Sequence, residues 1–258
     1  MLPEKSFDNR VAVVTGGGSG IGQAIALELS RLGAVVALLG RRQERVDAVA
    51  DEIKSSGGAA AGYSVDVRRR DDVEAIMTKV VADHGKIDHL VNSAAGNFQA
   101  DPQDLSPNAW NAVVDIVLGG TWNCTQTVGR HLIDRKSPGS VLNIGSNMAR
   151  DGGPRTVHSA SAKAGVLAMA KSLGVAWGPF GIRVNTLIPG PVADTPGVSI
   201  LHGDDAGESA LTGTVPLGRF ASKVEVARAA SYLLSDYADY VTGAELVVDG
   251  GRSLGRDL

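Results

Sequence analysis

Thr15-Gly16-Gly17-Gly18-Ser19-Gly20-Ile21-Gly22 is a glycine-rich stretch between the first apolar run of the chain and its first helix-length segment. Glycines at such a turn allow the backbone to approach a pyrophosphate. The N-terminus of the following helix offers unpaired N–H groups and a partial positive charge. A glycine cluster alone is a weak signal, but its position between a strand and a helix near the N-terminus strengthens it. The stretch therefore predicts a dinucleotide site, rather than a turn without a ligand. The predicted contacts are Gly16, Gly18, Ser19, Gly20, Ile21 and Gly22.

Short apolar runs alternate with helix-length segments over the rest of the chain. The runs are rich in Val, Ile and Leu without a polar alternation, which is typical of buried parallel strands. They span residues 11–15, 34–39, 61–65, 89–91, 140–144, 183–188 and 245–248, and the helical segments span 21–32, 43–56, 71–84, 107–135, 157–177 and 223–235. This alternation predicts the α/β class, with a Rossmann-type doubly wound parallel sheet in a single domain over residues 1–258.

One segment, residues 189–215, breaks the alternation with several Pro and Gly residues and few long apolar runs. It follows the end of a predicted strand, which is where ligands bind in α/β proteins. Loops of this length in compact domains are usually functional. We therefore predict a lid-like loop, with a surface insertion of no consequence as the alternative.

Composition narrows the class of protein and its partners. The chain has 258 residues and a formal net charge of −3, and its basic residues are not massed on one segment, so no nucleic-acid partner is expected. No apolar stretch is long enough to span a membrane, and no signal-peptide pattern is visible at the N-terminus. The single cysteine, Cys124, excludes an internal disulfide and suits a reducing compartment. We expect a cytoplasmic protein without a membrane partner.

The second predicted strand ends at Leu39-Gly40-Arg41-Arg42, where a carboxylate would favour NAD by binding its ribose 2′-hydroxyl. Two arginines stand there instead, and a guanidinium group suits a 2′-phosphate. The sequence therefore favours NADP(H), although both arginines could simply begin a solvated helix. Further cofactor contacts are expected where the next two strands end, at Asp66, Val67, Asn92 and Ala94.

Ser159 and Lys163 lie four positions apart, which places both side chains on one face of a helix. Five motifs give the chain a pattern that resembles the short-chain dehydrogenase/reductase family: the glycine-rich turn, Asp66-Val67, the Asn92–Gly96 strand end, Ser146 with Lys163, and Pro189-Gly190. The resemblance implies a catalytic Ser at 146 and a Lys at 163. It places Ser159 where the family carries its proton-transferring tyrosine, and Val117 where it carries an asparagine. Two of the four usual members are therefore absent. It also implies cofactor contacts from Lys163, Pro189, Gly190, Val192 and Thr195.

Longer matches resemble the 2,4-dienoyl-CoA reductase branch of that family, which lacks the tyrosine as well. They are the Asn92–Phe98 run, the Leu105–Trp110 run, the Ser159–Gly165 run and the Pro189–Thr195 turn. The resemblance implies an NADPH-dependent reductase of a conjugated acyl-CoA, with acyl-CoA contacts from Phe98, Ser106 and Asn108, no metal, and a homotetramer. The alternatives are a trans-2-enoyl-CoA reductase, a carbonyl (ketoacyl) reductase acting through water, and a catalytically silent NADP(H)-binding protein.

The proton donor is the open question in this branch. The mitochondrial type carries a tyrosine at the position of Met148, which cannot donate, and a thioester-binding asparagine at the position of Gly119. The peroxisomal type uses a water held by acidic residues, one of which matches Asp249. We therefore predict four catalytic residues, Lys163, Ser146, Ser159 and Asp249. Ser159 can instead merely pack, Ser106 can act as a helix cap, and Asp249 can cap the C-terminal turn.

Overall fold

The computed structural model describes residues 2–195 and 210–255. Each of the seven strands pairs in parallel with its neighbours in a single sheet, in the order β3-β2-β1-β4-β5-β6-β7. The strands are β1 (Val11–Thr15), β2 (Val35–Gly40), β3 (Ala59–Ser64), β4 (His89–Asn92), β5 (Gly139–Ile144), β6 (Ile182–Pro189) and β7 (Glu245–Val248). The order reverses between β1 and β4, which is the point where doubly wound sheets bind nucleotides. The predicted α/β Rossmann-type fold is confirmed.

Helices cover both faces of the sheet. They are α1 (Gly20–Arg31), α2 (Gln43–Ser55), α3 (Arg70–His84), α4 (Pro107–Val114), α5 (Gly120–Asp134), α6 (Met148–Asp151), α7 (Val157–Trp177) and α8 (Lys223–Leu234). Alternate residues of β1 face opposite cores. Ala12 and Val14 pack with α1, α2 and α8, whereas Val11 and Val13 pack with α3, α5 and α7. Since both strand faces are buried, each strand reads as a continuous apolar run.

The structure departs from the predicted elements in two places. The segment expected to be one helix over 107–135 is interrupted by a π-helical turn at Asp115–Gly119, which separates α4 from α5. A short helix, α6, was not expected, because its four residues carry no periodic pattern. Both departures lie next to the site described below, as π turns frequently do.

The predicted lid lies only partly within the described residues, since 196–209 fall outside them. On the near side, Val192 is buried and forms a parallel bridge with Ala221. On the far side, residues 210–213 form one helical turn. Within the described ranges, no helix has both the length and the apolar character that crossing a membrane requires.

Candidate active site

A cleft of about 420 Å³ lies along the carboxyl ends of the strands. It is lined by the glycine-rich turn, the ends of β2 to β6, and the first turns of α7. Most of the residues predicted from the sequence to hold a cofactor or to act in catalysis line this cleft. They are Gly16, Gly18, Ser19, Gly20, Ile21, Arg41, Arg42, Asp66, Val67, Ala94, Ser146, Ser159, Lys163, Pro189 and Thr195.

The glycine-rich turn has no room for side chains. Gly16 has a φ of 66°, and a Cβ placed on it would lie 2.8 Å from the carbonyl oxygen of Ser93. A Cβ on Gly22 would lie 2.4 Å from the carbonyl oxygen of Gly16. The N-cap of α1, Ser19, makes no side-chain hydrogen bond to the helix, so the first N–H groups of α1 are left for an anion. Gly22 is therefore a packing residue behind the turn, while the other residues face the cleft.

Thr15 fixes the two strand ends that flank the cleft. It is 1% exposed, and its hydroxyl accepts hydrogen bonds from the backbone N–H groups of Ser93 (3.0 Å) and Ala94 (3.1 Å). The same hydroxyl donates to the carbonyl of Val91 at 3.3 Å. Sequence reasoning placed Thr15 in the motif but gave it no role. A hydroxyl-bearing residue at the last position of an otherwise apolar strand was the available signal.

The adenosine end of the cleft is strongly basic. Arg41 and Arg42 lie at the end of β2 with exposed side chains, as the sequence predicted. Arg45 in the first turn of α2 lines the same end, although sequence reasoning missed it. No carboxylate of the described residues forms a salt bridge with any of the three. The position of Arg45 in the first turn of α2, directly after the Arg41-Arg42 pair, was a signal that could have identified it.

Asp66 and Val67 line the cleft beside these arginines. The guanidinium of Arg68 donates from Nε to both carboxylate oxygens of Asp66 at 3.0 Å, and this bond holds the pKa of Asp66 below its usual value. Asp66 is therefore ionised and acceptor-only, as a contact to an adenine amino group requires. Val67 packs against Gly120. A Cβ added to Gly120 would lie 2.5 Å from the Val67 side chain.

Three further residues that were predicted to contact the cofactor do not line the cleft but support the residues around it. The side-chain amide of Asn92 is buried and donates to Thr125 (2.8 Å) and Asn143 (2.9 Å), so it joins β4 to β5 and α5. Gly190 allows β6 to pass close to Asp249, since a Cβ there would lie 2.7 Å from the Asp249 Cα. Val192 is buried. Their direct contact with a cofactor stays a prediction.

Lys163 is the buried cation of the cleft. It is 9% exposed, and its ammonium donates to the backbone carbonyl of Ile144 at the end of β5. Burial lowers the pKa of Lys163 to about 8, so the side chain is mostly charged at neutral pH. Ser159 lies one turn earlier on α7, buried and facing the same cleft.

Ser146 lies opposite, just after β5. Its hydroxyl oxygen accepts from the backbone N–H of Met148 at 3.3 Å, which leaves its own proton available to a ligand. Val117, at the family's asparagine position, is 1% exposed and packs in an apolar cluster with Val113, Ala162 and Val166. Its carbonyl accepts from the Thr121 hydroxyl at 2.6 Å. The polar relay that an asparagine would supply is therefore absent from this part of α4 and α5.

Asp249 lies behind the site rather than in the cleft. Burial raises its pKa, but hydrogen bonds from the Ser253 and Gly251 backbones and from the Asn147 amide outweigh this, so the pKa is lowered overall. The Asn147 Nδ2 lies 3.0 Å from one carboxylate oxygen, and the Ser253 N–H lies 2.8 Å from it. Asp249 is thus ionised, closes the C-terminal turn, and holds Asn147, the neighbour of Ser146. Sequence reasoning gave Asn147 no role.

The predicted substrate contacts divide into two groups. Phe98 stacks on the ring of His158 with centroids 4.5 Å apart, beside Ser159. Ser106 caps α4, where its hydroxyl accepts from the Ala109 N–H at 3.2 Å. Asn108 is exposed on α4, and none of the three predicted substrate contacts lines the cleft. Among the residues the structure describes, no cluster of three His, Cys, Asp or Glu side chains is placed to bind a metal.

Comparisons with known proteins agree with this geometry. The family model described as "Enoyl-(Acyl carrier protein) reductase" matches residues 16–253. A probable 2,4-dienoyl-CoA reductase of Bacillus subtilis is 39% identical over 96% of this chain and 98% of that protein. The peroxisomal 2,4-dienoyl-CoA reductase of Arabidopsis thaliana is 37% identical over 96% of this chain and 85% of that protein.

Solved structures give the same result. A short-chain dehydrogenase from Bacillus anthracis is 40% identical, with a TM-score of 0.92 over 98% of this chain and 100% of that one. A gluconate 5-dehydrogenase from Burkholderia cenocepacia, in complex with NADP and tartrate, is 33% identical, with a TM-score of 0.91 over 96% and 98% of the two chains. The chain therefore belongs to the short-chain dehydrogenase/reductase family.

Proposed function

We propose that the chain is an NADPH-dependent reductase of conjugated acyl thioesters and that its substrate is a 2,4-dienoyl-CoA. The observation that carries the proposal is the position of Ser159, which is buried in the cleft one turn from Lys163. A phenol has a pKa of about 10, and an alcohol is a far weaker acid, so this position does not serve as a ketone's proton donor. Reduction of a carbon–carbon double bond does not need that phenol for the hydride step. Relatives named as 2,4-dienoyl-CoA reductases support the same reaction.

The residues of the cleft fit NADP(H). The uncapped N-terminus of α1 and the glycine-rich turn suit a pyrophosphate. The three guanidinium groups, which form no salt bridge with any described carboxylate, suit a 2′-phosphate. Lys163, which lines the same cleft as Pro189 and Thr195, is the residue we assign to the nicotinamide ribose. When bound, the cofactor supplies the hydride that adds to C5 of the dienoyl thioester. The NADP-bound state of a structural relative supports this choice of cofactor.

The chain's own residues stabilise the charge that hydride addition creates. Electrons move through the conjugated bonds to the thioester oxygen, which becomes a dienolate oxygen. The free O–H of Ser146 is the donor we assign to that oxygen, and the Lys163 ammonium adds a positive field from within a buried site. Ser159 packs in the wall of the same cleft or relays a proton. Phe98 is half-buried and stacks on the fully buried ring of His158, and it is the residue to which we assign contact with the acyl chain.

The proton that completes the reaction comes from solvent through a water. Met148 stands at the position of the mitochondrial-type donor and has no ionisable proton. Asp249 is the acidic group we assign to that water: its ionised carboxylate orders the water through hydrogen bonds, while the proton itself comes from solvent. The bond from Asn147 to Asp249 connects this carboxylate to the turn that bears Ser146. We also propose that the protein acts in the cytoplasm as a homotetramer, with helices α4, α5 and α7 at the interfaces.

Three substrates test the proposal in one assay. NADPH oxidation is followed with a 2,4-dienoyl-CoA, a trans-2-enoyl-CoA and a 3-ketoacyl-CoA, together with the loss of dienoyl absorbance. We expect the dienoyl-CoA to be consumed with the highest kcat/KM. The second candidate, an enoyl thioester reductase, is favoured by the description of the matching family model and predicts that the enoyl-CoA is fastest. Faster reduction of the ketoacyl-CoA, or cofactor binding without turnover of any substrate, would contradict the proposal.

A further inference from the structure

The turn after β3, residues 66–69, borders the cleft at its adenosine end. Asp66 and Val67 line the cleft, whereas Arg68 does not. The backbone N–H of Arg69 donates to the carbonyl of Asp66 at 2.9 Å, which closes the turn. Among the described residues that line the cleft, Asp66 is the one acidic side chain. This turn therefore supplies the carboxylate acceptor of the site.

Arg68 holds both oxygens of that carboxylate. Its Nε donates to Oδ1 and to Oδ2 at 3.0 Å, and its Nη2 donates to Oδ2 at 2.5 Å. Its backbone N–H donates to Oδ1 at 3.1 Å. A guanidinium fork fixes the plane of a carboxylate, which a lysine ammonium, as a point charge, does not. The Asp66 side chain is still 20% exposed, so its remaining lone pairs are accessible to a ligand.

Helix α5 fixes the backbone of the same turn. The Asn123 amide donates from Nδ2 to the carbonyl of Val67 at 2.9 Å. The N–H of Val67 has no hydrogen-bond acceptor within residues 2–195 and 210–255. The turn therefore carries an acceptor on Asp66 and a free donor on the next residue. Adenine has the complementary pair, because its amino group donates and its ring N1 accepts.

From these contacts, and resting on the NADP(H) site of the proposed function, we infer that Arg68 is a positioning residue for adenine recognition. It holds the Asp66 carboxylate in the orientation that accepts from the adenine amino group. Because Arg68 does not line the cleft, it acts through Asp66 and not on the nucleotide. Without this partner, the Asp66 side chain is free to rotate, so fewer of its conformers face the base.

Two cofactors that differ only in the base test this role. They are NADPH and its analogue with hypoxanthine in place of adenine, which has a carbonyl oxygen at the amino position and a proton on N1. Both contacts to the turn are then mismatched, so we expect the unmodified protein to bind NADPH at least about tenfold more tightly. Arg68→Ala should reduce this ratio at least about threefold. Arg68→Lys, which keeps the charge without the fork, should reduce it less.

The controls separate a positioning role from a general effect of charge. Arg69→Ala removes the same charge from the next residue, which pairs with Asp72 at 2.7 Å, and should leave the ratio unchanged. In an Asp66→Ala background, Arg68→Ala should have no further effect on the ratio, because the residue through which it acts is gone. A further loss in that background would contradict the role.

Titration calorimetry with the two cofactors measures these ratios without an acyl thioester. A failure to reduce a dienoyl-CoA would therefore contradict the proposed substrate and leave the ratios as measured. An unchanged ratio in a normally folded Arg68→Ala variant would overturn this inference alone. So would a loss of preference for NADPH over NADH with the base ratio intact, since Arg68 would then bind the 2′-phosphate.

Discussion

The adenosine end and the reacting end of the cleft are built on the same edge of one sheet, yet they differ in how their residues work. At the adenosine end, backbone N–H groups and exposed guanidinium groups face the cleft without a salt bridge from the described residues. At the reacting end, the charged groups are buried and engaged, as Lys163 is with the Ile144 carbonyl and Asp249 with Asn147. The first end can bind its ligand through shape and charge alone. Catalysis at the reacting end depends on the protonation state of each group, so we expect its activity to be sensitive to single substitutions and to pH.

The largest effect is expected from Lys163→Ala. This change removes the buried cation and its bond to β5, so kcat should fall on the order of 100-fold and NADPH should bind more weakly. Steady-state kinetics and a cofactor titration measure the two losses. If the variant folds normally and keeps more than a tenth of the activity, the reacting end does not depend on this charge.

A pH profile also tests whether activity depends on the charge of Lys163. Burial lowers the pKa of Lys163 to about 8, so the cation is present below that pH and is lost as pH rises through it. We therefore expect kcat/KM with saturating NADPH to fall about tenfold per pH unit well above pH 8. Lys163→Arg keeps the charge at every pH and should move the fall to higher pH, whatever its activity. A fall at the same pH in this variant would assign the titration to another group.

Cofactor affinity at the adenosine end should depend on the charges of its arginines, and it should not depend on proton transfer. We expect NADPH to bind at least about tenfold more tightly than NADH, and Arg41→Ala to narrow that gap. Arg45→Ala should narrow the gap as well, because Arg45 lines the same end and pairs with none of the carboxylates that the structure describes. Isothermal titration with both cofactors measures the gap. Equal affinities of the unmodified protein for NADPH and NADH would show that these arginines do not recognise the 2′-phosphate.

Asp249→Asn should have a smaller, pH-dependent effect. The variant keeps the shape of the turn but removes the charge that accepts from Asn147, Gly251 and Ser253. We expect kcat to fall by less than about tenfold, below the roughly 10²–10⁴-fold effect of a direct proton-transfer group, because Asp249 acts through Asn147 and a water. The acidic limb of the pH profile should change. Should turnover stay complete across the pH range in a normally folded variant, Asp249 is only a structural cap.

Ser159→Ala should have the smallest effect, less than about threefold in kcat, because an alcohol cannot replace the phenol as an acid. A loss as large as that of Lys163→Ala would place Ser159 in the proton path. Ser159→Tyr should not create a ketoreductase by itself, since the buried Val117 leaves the family's polar relay incomplete.

The sequence predicted the adenosine end better than the reacting end, and the reason is physical. Gly16 is required by its positive φ and Gly22 by its contact with the Gly16 carbonyl, and both requirements arise within one turn, so the motif reports them directly. The Asn147–Asp249 contact joins residues 102 positions apart, and no local pattern encodes it. The π turn at Asp115–Gly119 was missed because helical periodicity continues on both sides of it. Residues 196–209 of the predicted lid lie outside the described residues, so that prediction stands untested.

The central claim is that hydride adds to the far carbon of a conjugated thioester and that the second hydrogen comes from solvent. Reduction of a 2,4-dienoyl-CoA with NADPH deuterated at the transferring position, followed by mass spectrometry or NMR of the product, tests it directly. The account predicts one deuterium at C5 of the product. When the reaction is run in D₂O with unlabelled NADPH, the other new hydrogen should be the one that carries deuterium. Deuterium at C3 of an enoyl substrate alone, or on an alcohol carbon of a ketoacyl substrate alone, would contradict it.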